Sequence, residues 1–185
     1  MEKKDLKPAG VFKYFEEICQ VPRPSKKEEK IIAYLKAFGA KHNLETNVDE
    51  AGNVLIKKPA TPGKENLQTV ILQSHIDMVC EKNNDVQHDF LTDPIETEID
   101  GEWLKAKGTT LGADNGIGVA TELAILADDS IEHGPLECLF TVDEETGLTG
   151  AFELKEGFMS GDILLNLDSE DEGEIFIGCA GGIDS

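Results

Sequence analysis

The sequence predicts an α/β fold with a mostly parallel central sheet covered by helices. Three observations predict it. Thr69–His75 and Leu136–Val142 are short, nearly unbroken apolar runs of the kind found in strands buried on both faces. Stretches with helical apolar periodicity precede and separate them. Each run ends in an imidazole or a carboxylate, and the ends of strands are where α/β sheets keep their sites. With 39% apolar residues over 185 positions, the chain can build the core of one domain, or of one domain with a small appendage.

In order along the chain, Val11, Phe12, Phe15, Ile18 and Cys19 form a helical stripe that Pro22-Arg-Pro24 stops. Ser25-Lys-Lys-Glu28 reads as a capping box opening a second helix, with Ile31, Ile32, Leu35 and Phe38 on its buried side and a stop near Gly39. Val48 to Lys57 reads as a hairpin turning near Ala51-Gly-Asn53, and Pro59 to Asn66 as a polar surface loop. After the Thr69–His75 strand, Glu96 to Lys105 is a second hairpin with the favoured Asp100-Gly101 turn.

Lys107 to Gly118 then places Asp114 in a glycine-punctuated loop just before the helix begun by Val119. Taken alone, Asp114 reads as an N-cap. Leu136–Val142 ends in three successive carboxylates, Asp143, Glu144 and Glu145. Adjacent acids repel one another, which solvent tolerates and a bound cation would make favourable. Ile163 to Leu167 repeats the design, a buried strand ending in Asp168, and Glu174 to Gly178 reads as a last short strand.

Net charge is −20, from 37 acidic and 17 basic residues, and beyond Lys107 the only basic residue is Lys155. Such a field repels nucleic acid and anionic membranes and attracts cations. Cys19, Cys80, Cys138 and Cys179 stand far apart, with no Cys-x-x-Cys pair, and read as reduced, mostly buried thiols. The N-terminus has no apolar signal region and no run approaches a membrane span, which points to the cytoplasm.

The strand ends carry the chemistry. In an extended chain His75 and Asp77 project to one side. His75, Asp114, Glu145 and Asp168 supply the imidazole and carboxylate ligands that zinc takes, typically three protein ligands with water completing a catalytic site. Two such metals can share a bridging carboxylate, with Asp114 the candidate, and together activate water. Glu144, beside a ligand, suits general acid/base work, and Asp77 suits the fixing of the His75 tautomer. An EF-hand reading of Asp168–Gly173 fails, because Cys179 stands where a bidentate Glu is needed. No serine sits in a Gly-x-Ser-x-Gly elbow, and Cys80 lacks an activating pattern.

Ser74-His-Ile-Asp-Met-Val79, Gly108–Gly118, Asp143-Glu-Glu-Thr-Gly147 and Asn166–Glu174 resemble the successive site motifs of the M20 metallopeptidases. Within that clan, His88-Asp-Phe, Asp100–Gly116 and Gly178-Cys-Ala-Gly-Gly-Ile-Asp are similar to the aminoacyl-histidine dipeptidases. The resemblance covers nearly the whole chain. It implies that His75 and Asp168 hold one metal, that Glu145 belongs to a second, that Asp114 bridges them, that Glu144 is the catalytic base and Asp77 the orienting acid. It also implies a cis peptide between Asp114 and Asn115.

The expected activity is hydrolysis of Xaa-His and other unblocked dipeptides, with two zinc ions, or cobalt or manganese, in a complete site and a homodimer in the complete enzyme. Family members run well beyond residue 185, through a lid domain and a further histidine ligand. Residues 1–185 are therefore expected to be the N-terminal portion of the catalytic domain, lacking the lid and nearly inactive alone. The alternatives are an M20 hydrolase of other specificity, such as a tripeptidase or acyl-amino-acid hydrolase, a non-catalytic metal-binding module, or a plain α/β domain with acidic loops.

Overall fold

A computed structural model describes residues 2–169 and 173–178. Residues 170–172 of the acidic segment after Asp168, and Cys179 with the rest of the final motif, lie outside them. Helix α1 (Ala9–Cys19) buries Tyr14, Phe15, Ile18 and Cys19, and α2 (Glu29–Lys41) buries Ile31, Leu35 and Phe38. Each large apolar side chain removed from water in this way contributes about 1.5–3 kcal/mol. Helix α2 runs through Gly39 instead of stopping there, because the bare Cα makes room for Thr46 on the next strand.

The capping box does not form. Ser25 Oγ donates to Asp77 Oδ2 at 2.7 Å, and the Glu28 carboxylate accepts from the backbone N–H groups of Lys26 at 2.9 Å and Asp143 at 3.0 Å. Buried acceptors elsewhere in the fold outcompete the local cap, since a buried carboxylate without donors is costly.

Strands β1 (Glu45–Val48) and β2 (Val54–Lys58) form the predicted hairpin, followed by β3 (Val70–His75) and a separate hairpin of β4 (Thr97–Asp100) and β5 (Trp103–Ala106). Helix α3 (Ala113–Ala127), β6 (Leu136–Thr141), the short α4 (Thr149–Phe152) and β7 (Ile163–Asn166) complete the order. The main sheet runs β1-β2-β6-β3-β7. Strand β3 is parallel to both β6 and β7, while β1 and β2 add an antiparallel margin. Pairing of His75 with Thr141 and of Gln73 with Asn166 brings three C-terminal strand ends to one edge.

The main core joins α1, α2 and α3 to one face of this sheet, through residues such as Val54, Ile56, Leu72, Cys138 and Phe140. On the other face Leu55, Ile71 and Leu139 pack against Leu154, Phe158 and Met159, so an irregular segment does the covering there. Two expectations about strands also fail. Strand β7 is not buried: it is an edge strand, with Leu164 and Leu165 47% and 48% exposed. Glu174–Gly178 forms no strand, having no strand partner among the described residues.

Helix α3 holds a feature that periodicity hides. Glu122 is fully buried, with the side chains of Ser74 and Cys138 beside its carboxylate. Burial raises its pKa well above the usual carboxylate range, so the group is held neutral. Cys19, Cys80 and Cys138 are free thiols. No helix among the described residues is long and apolar enough to cross a membrane.

Candidate metal centre

Where β3 ends, the chain turns through Ile76 into Asp77, which is completely buried. Asp77 accepts from His75 Nδ1 at 3.2 Å, from Ser25 Oγ at 2.7 Å, and from the backbone N–H groups of Glu144 at 3.0 Å and Glu145 at 3.2 Å. One carboxylate thus ties the end of β3 to the turn after β6. With Nδ1–H given to Asp77, His75 Nε2 faces Asp114 Oδ1 at 3.1 Å and Asp168 Oδ1 at 3.7 Å.

Asp114 reaches this place because α3 begins irregularly. Gly112 takes a φ of +68, which glycine adopts without strain, and the Asp114–Asn115 peptide is cis. Asp114 itself has φ −82 and ψ 114, outside the helical region. Its carboxylate caps nothing; the N-cap position belongs to Gly112, with no side-chain cap bond. Asn115 is buried, accepts the Gly118 N–H at 3.1 Å through Oδ1, and donates from Nδ2 to Asp168 Oδ1 at 2.8 Å.

The three acids after β6 divide in role. Asp143 is buried in a left-handed turn, φ +50, and accepts from the hydroxyls of Thr146 and Thr149. Glu144 and Glu145 stand half-exposed on the other side, grouped with His75. Ligand atoms of His75, Asp114 and Asp168 lie within 4.8 Å of one another, as do those of His75, Glu144 and Glu145. His75 is the member common to both groups.

Burial works to lower the pKa of His75, but hydrogen bonds to Asp77 and Asp114 outweigh it and raise the ring to about 9. Burial pushes Asp77 up, and its bonds from His75, the Glu144 backbone and Ser25 overcome that to bring it to about 2. Asp168 is raised to about 6, first by burial and then by the neighbouring Asp114 and Glu144 carboxylates against the pull of His75. Burial and the charges of Asp114, Glu144 and Asp77 likewise raise Glu145. These carboxylates crowd one another around a single imidazole, so negative charge is in excess at the cluster.

A divalent cation fits that excess. The donor set is one imidazole nitrogen held from behind by Asp77 and a group of carboxylates, of which Asp168 and Glu145 are raised first by burial and then by their acidic neighbours, which is what a borderline cation neutralises. Beside it lies a depression of about 320 Å³ lined by Asp114, Asn115, Ile117, Leu167 and Asp168.

Sequence reasoning found His75, Asp77, Asp114, Glu144, Glu145 and Asp168, and the fold brings all six to one strand edge. It missed Asn115 as the donor to Asp168 and Ser25 as a donor to Asp77, both long-range partners with no local signature. It also read Arg23 only as the residue between two helix-stopping prolines. That the chain has a single arginine was the available signal.

Residues 71–179 match the sequence profile of peptidase family M20/M25/M40. The cytosol non-specific dipeptidase of Escherichia coli is 53% identical over 183 residues, covering 99% of this chain and 38% of that protein. The crystal structure of aminoacylhistidine dipeptidase from Vibrio alginolyticus superposes with a TM-score of 0.94 at 55% identity, over 97% of this chain and 36% of that one. Aminopeptidase PepT from Bacillus cereus superposes at 0.74 with 26% identity, over 88% and 43%. The chain thus spans well under half the length of these relatives. A profile match across more than half of its residues, laid over the strand ends that gather the imidazole and the carboxylates, shows that the chain belongs to peptidase family M20/M25/M40.

Proposed function

We propose that residues 1–185 form the N-terminal portion of the catalytic domain of a cytoplasmic metal-dependent dipeptidase acting on Xaa-His and other unblocked dipeptides. The observation that carries this reading is the placement of His75 Nε2 against Asp114 and Asp168 while Nδ1 is held by Asp77. Likeness over nearly the whole chain to the E. coli and V. alginolyticus dipeptidases supports the substrate class. His75 and Asp168 would hold one ion, Glu145 would serve a second, and Asp114 would bridge them. Zinc suits this set, and cobalt or manganese would be accepted by the same donors. A bound ion would supply Lewis-acid polarisation of the scissile carbonyl and make water more acidic.

The chain's own residues do the rest. Glu144 has its backbone anchored by Asp77 and its carboxylate free of that bond, so it takes the proton of the attacking water and returns it to the leaving amine. Asp77 keeps Nδ1 protonated and so keeps Nε2 available as a ligand. The acidic rim attracts the free α-ammonium group of an unblocked dipeptide. Turnover is assigned to the complete enzyme, in which a homodimer is expected; the isolated chain should hydrolyse Xaa-His poorly.

A calorimetric zinc titration of the chain beside His75→Ala tests the centre. One tight site in the parent, weakened at least a hundredfold in the variant, is the expected result; equal affinities would sink the ligand assignment. A panel of Xaa-His dipeptides, other dipeptides, tripeptides and N-acyl amino acids, run on the complete enzyme, tests specificity. Preference for tripeptides or N-acyl amino acids would favour the alternative of an M20 hydrolase of other specificity.

A further inference from the structure

Arg23 is the only arginine among the 17 basic residues of a chain with 37 acidic ones, and it is 3% exposed. Yet among the described residues no ion pair joins it to a carboxylate. Its Nη1 donates to the carbonyl oxygens of Ile76 at 3.1 Å and Asp77 at 3.0 Å, and its Nη2 to that of Gly112 at 2.6 Å. These acceptors belong to the two segments that bring His75 and Asp114 together: Ile76 follows His75 directly, and Gly112 lies two residues before Asp114. The guanidinium is planar and rigid, so fixing three carbonyl groups to one plane fixes the two segments to each other.

The surroundings are shaped for this group. A Cβ on Gly112 would stand 2.5 Å from Nη2 and 2.8 Å from Met78 Sδ, and one on Gly116 would stand 2.7 Å from Nη2. Two glycines of the Asp114 loop are therefore the space the guanidinium occupies. From the other side Pro24 bridges to Met78 in parallel fashion, which holds the backbone of residue 23 against the same turn. A lysine would bring one ammonium to a place built for a fork, and could not span both segments with the same geometry.

We propose that Arg23 is a positioning residue that sets the spacing between His75 and Asp114, acting on the metal centre through backbone carbonyls and touching no ligand side chain. The proposal rests on reading His75, Asp114 and Asp168 as a metal set. Its consequence is local: without the guanidinium, the segments 76–79 and 110–117 move independently while the sheet stays intact.

The test compares the parent chain with Arg23→Lys, Gly116→Ala and the core control Leu35→Ala. Amide hydrogen exchange is followed by mass spectrometry, zinc affinity by calorimetry and global stability by urea unfolding. Arg23→Lys should exchange at least tenfold faster in 76–79 and 110–117, with residues 136–141 unchanged, and should bind zinc at least tenfold more weakly. Leu35→Ala, whatever its loss of global stability, should show neither local signature. Parent-like exchange in Arg23→Lys, or the same two-segment pattern in Leu35→Ala, would overturn the proposal. Should Arg23→Lys fail to fold, Gly116→Ala, which crowds the guanidinium without removing it, decides by the same exchange pattern. If the parent binds no zinc, the metal reading fails and the exchange data alone settle the role of Arg23.

Discussion

Two clusters of carboxylates lie within a few residues of each other and behave as opposites. Glu28, Asp77 and Asp143 bring their oxygens within 4.8 Å of one another and are almost wholly buried. Asp114 and Asp168 crowd His75 at similar spacing, with the Asp114 side chain 62% exposed. In the buried set donors surround every acid: backbone N–H groups on Glu28, four donors on Asp77, two threonine hydroxyls on Asp143. In the open set Asp168 has Asn115 and both acids share His75. Proximity of acids therefore does not mark a binding site; a shortage of donors does. The buried cluster is the frame, and the open one would offer its lone pairs to the cation proposed above.

The largest effect that would sharpen this contrast is in turnover. Glu144→Gln in the complete enzyme should lower kcat by about 10²–10⁴-fold, the usual range for a general acid/base. Zinc affinity, read by calorimetry, should change less than about threefold if Glu144 takes no ligand position; a parallel collapse of affinity would make it a ligand. Next comes the residue that belongs to the frame but touches the centre. Asp77→Asn should weaken zinc by roughly 10–100-fold, as loss of a partner behind a ligating imidazole does. Unchanged affinity would mean that His75 needs no help in holding its tautomer.

A purely structural member of the frame should break differently. Asp143→Ala strands two threonine hydroxyls and should cost about 1–3 kcal/mol in urea unfolding. Zinc affinity of the folded fraction should stay within a few-fold.

The smallest and most diagnostic effect is pH dependence. His75 titrates at about 9 in the fold, above its ordinary 6.5, so its contribution is complete below 6.5 and lost as pH rises through about 9. Asp168, raised from 3.8 to about 6, favours the folded state most when protonated, so stability falls as pH climbs through that interval. Asp77, lowered from 3.8 to about 2, contributes above 3.8 and is lost as pH drops through about 2. Thermal unfolding of the metal-free chain should therefore show stability from these groups declining from about pH 4.5 toward pH 9. Zinc competes with the same protons, so the stabilisation it adds should grow with pH over that range. Parallel slopes with and without zinc would separate the ion from these residues.

Much of this was legible along the chain because it depends on short-range pattern. The runs ending at His75 and Val142 gave the parallel strands, and the parallel register then carries whatever follows them to one edge. Asp114 taken alone read as a cap, and only its neighbours along the chain made it a candidate ligand; the path that carries its carboxylate to His75 depends on contacts of the folded state. The capping box at Ser25 failed for a related reason. Local hydrogen-bond rules hold only while no buried acceptor competes, and Asp77 lies 52 residues away. The exposure of β7 was illegible because an apolar run states what a segment would bury, not whether a neighbour arrives to bury it. Glu122 and Arg23 defeated composition altogether: each is a charged residue type placed inside the fold, where neighbours decide its state.

The arrangement at Asp77 also bears on how this region can change over evolutionary time. Surface turns ordinarily gain and lose residues with little penalty. Here two consecutive amides after β6 must meet two oxygens of one carboxylate, while the same carboxylate holds the imidazole ring. A single inserted or deleted residue between Thr141 and Glu145 would shift those amides out of phase, turning a change of length into a change of chemistry. Insertions that spare the centre have to fall elsewhere, as in the polar loop of residues 59–66.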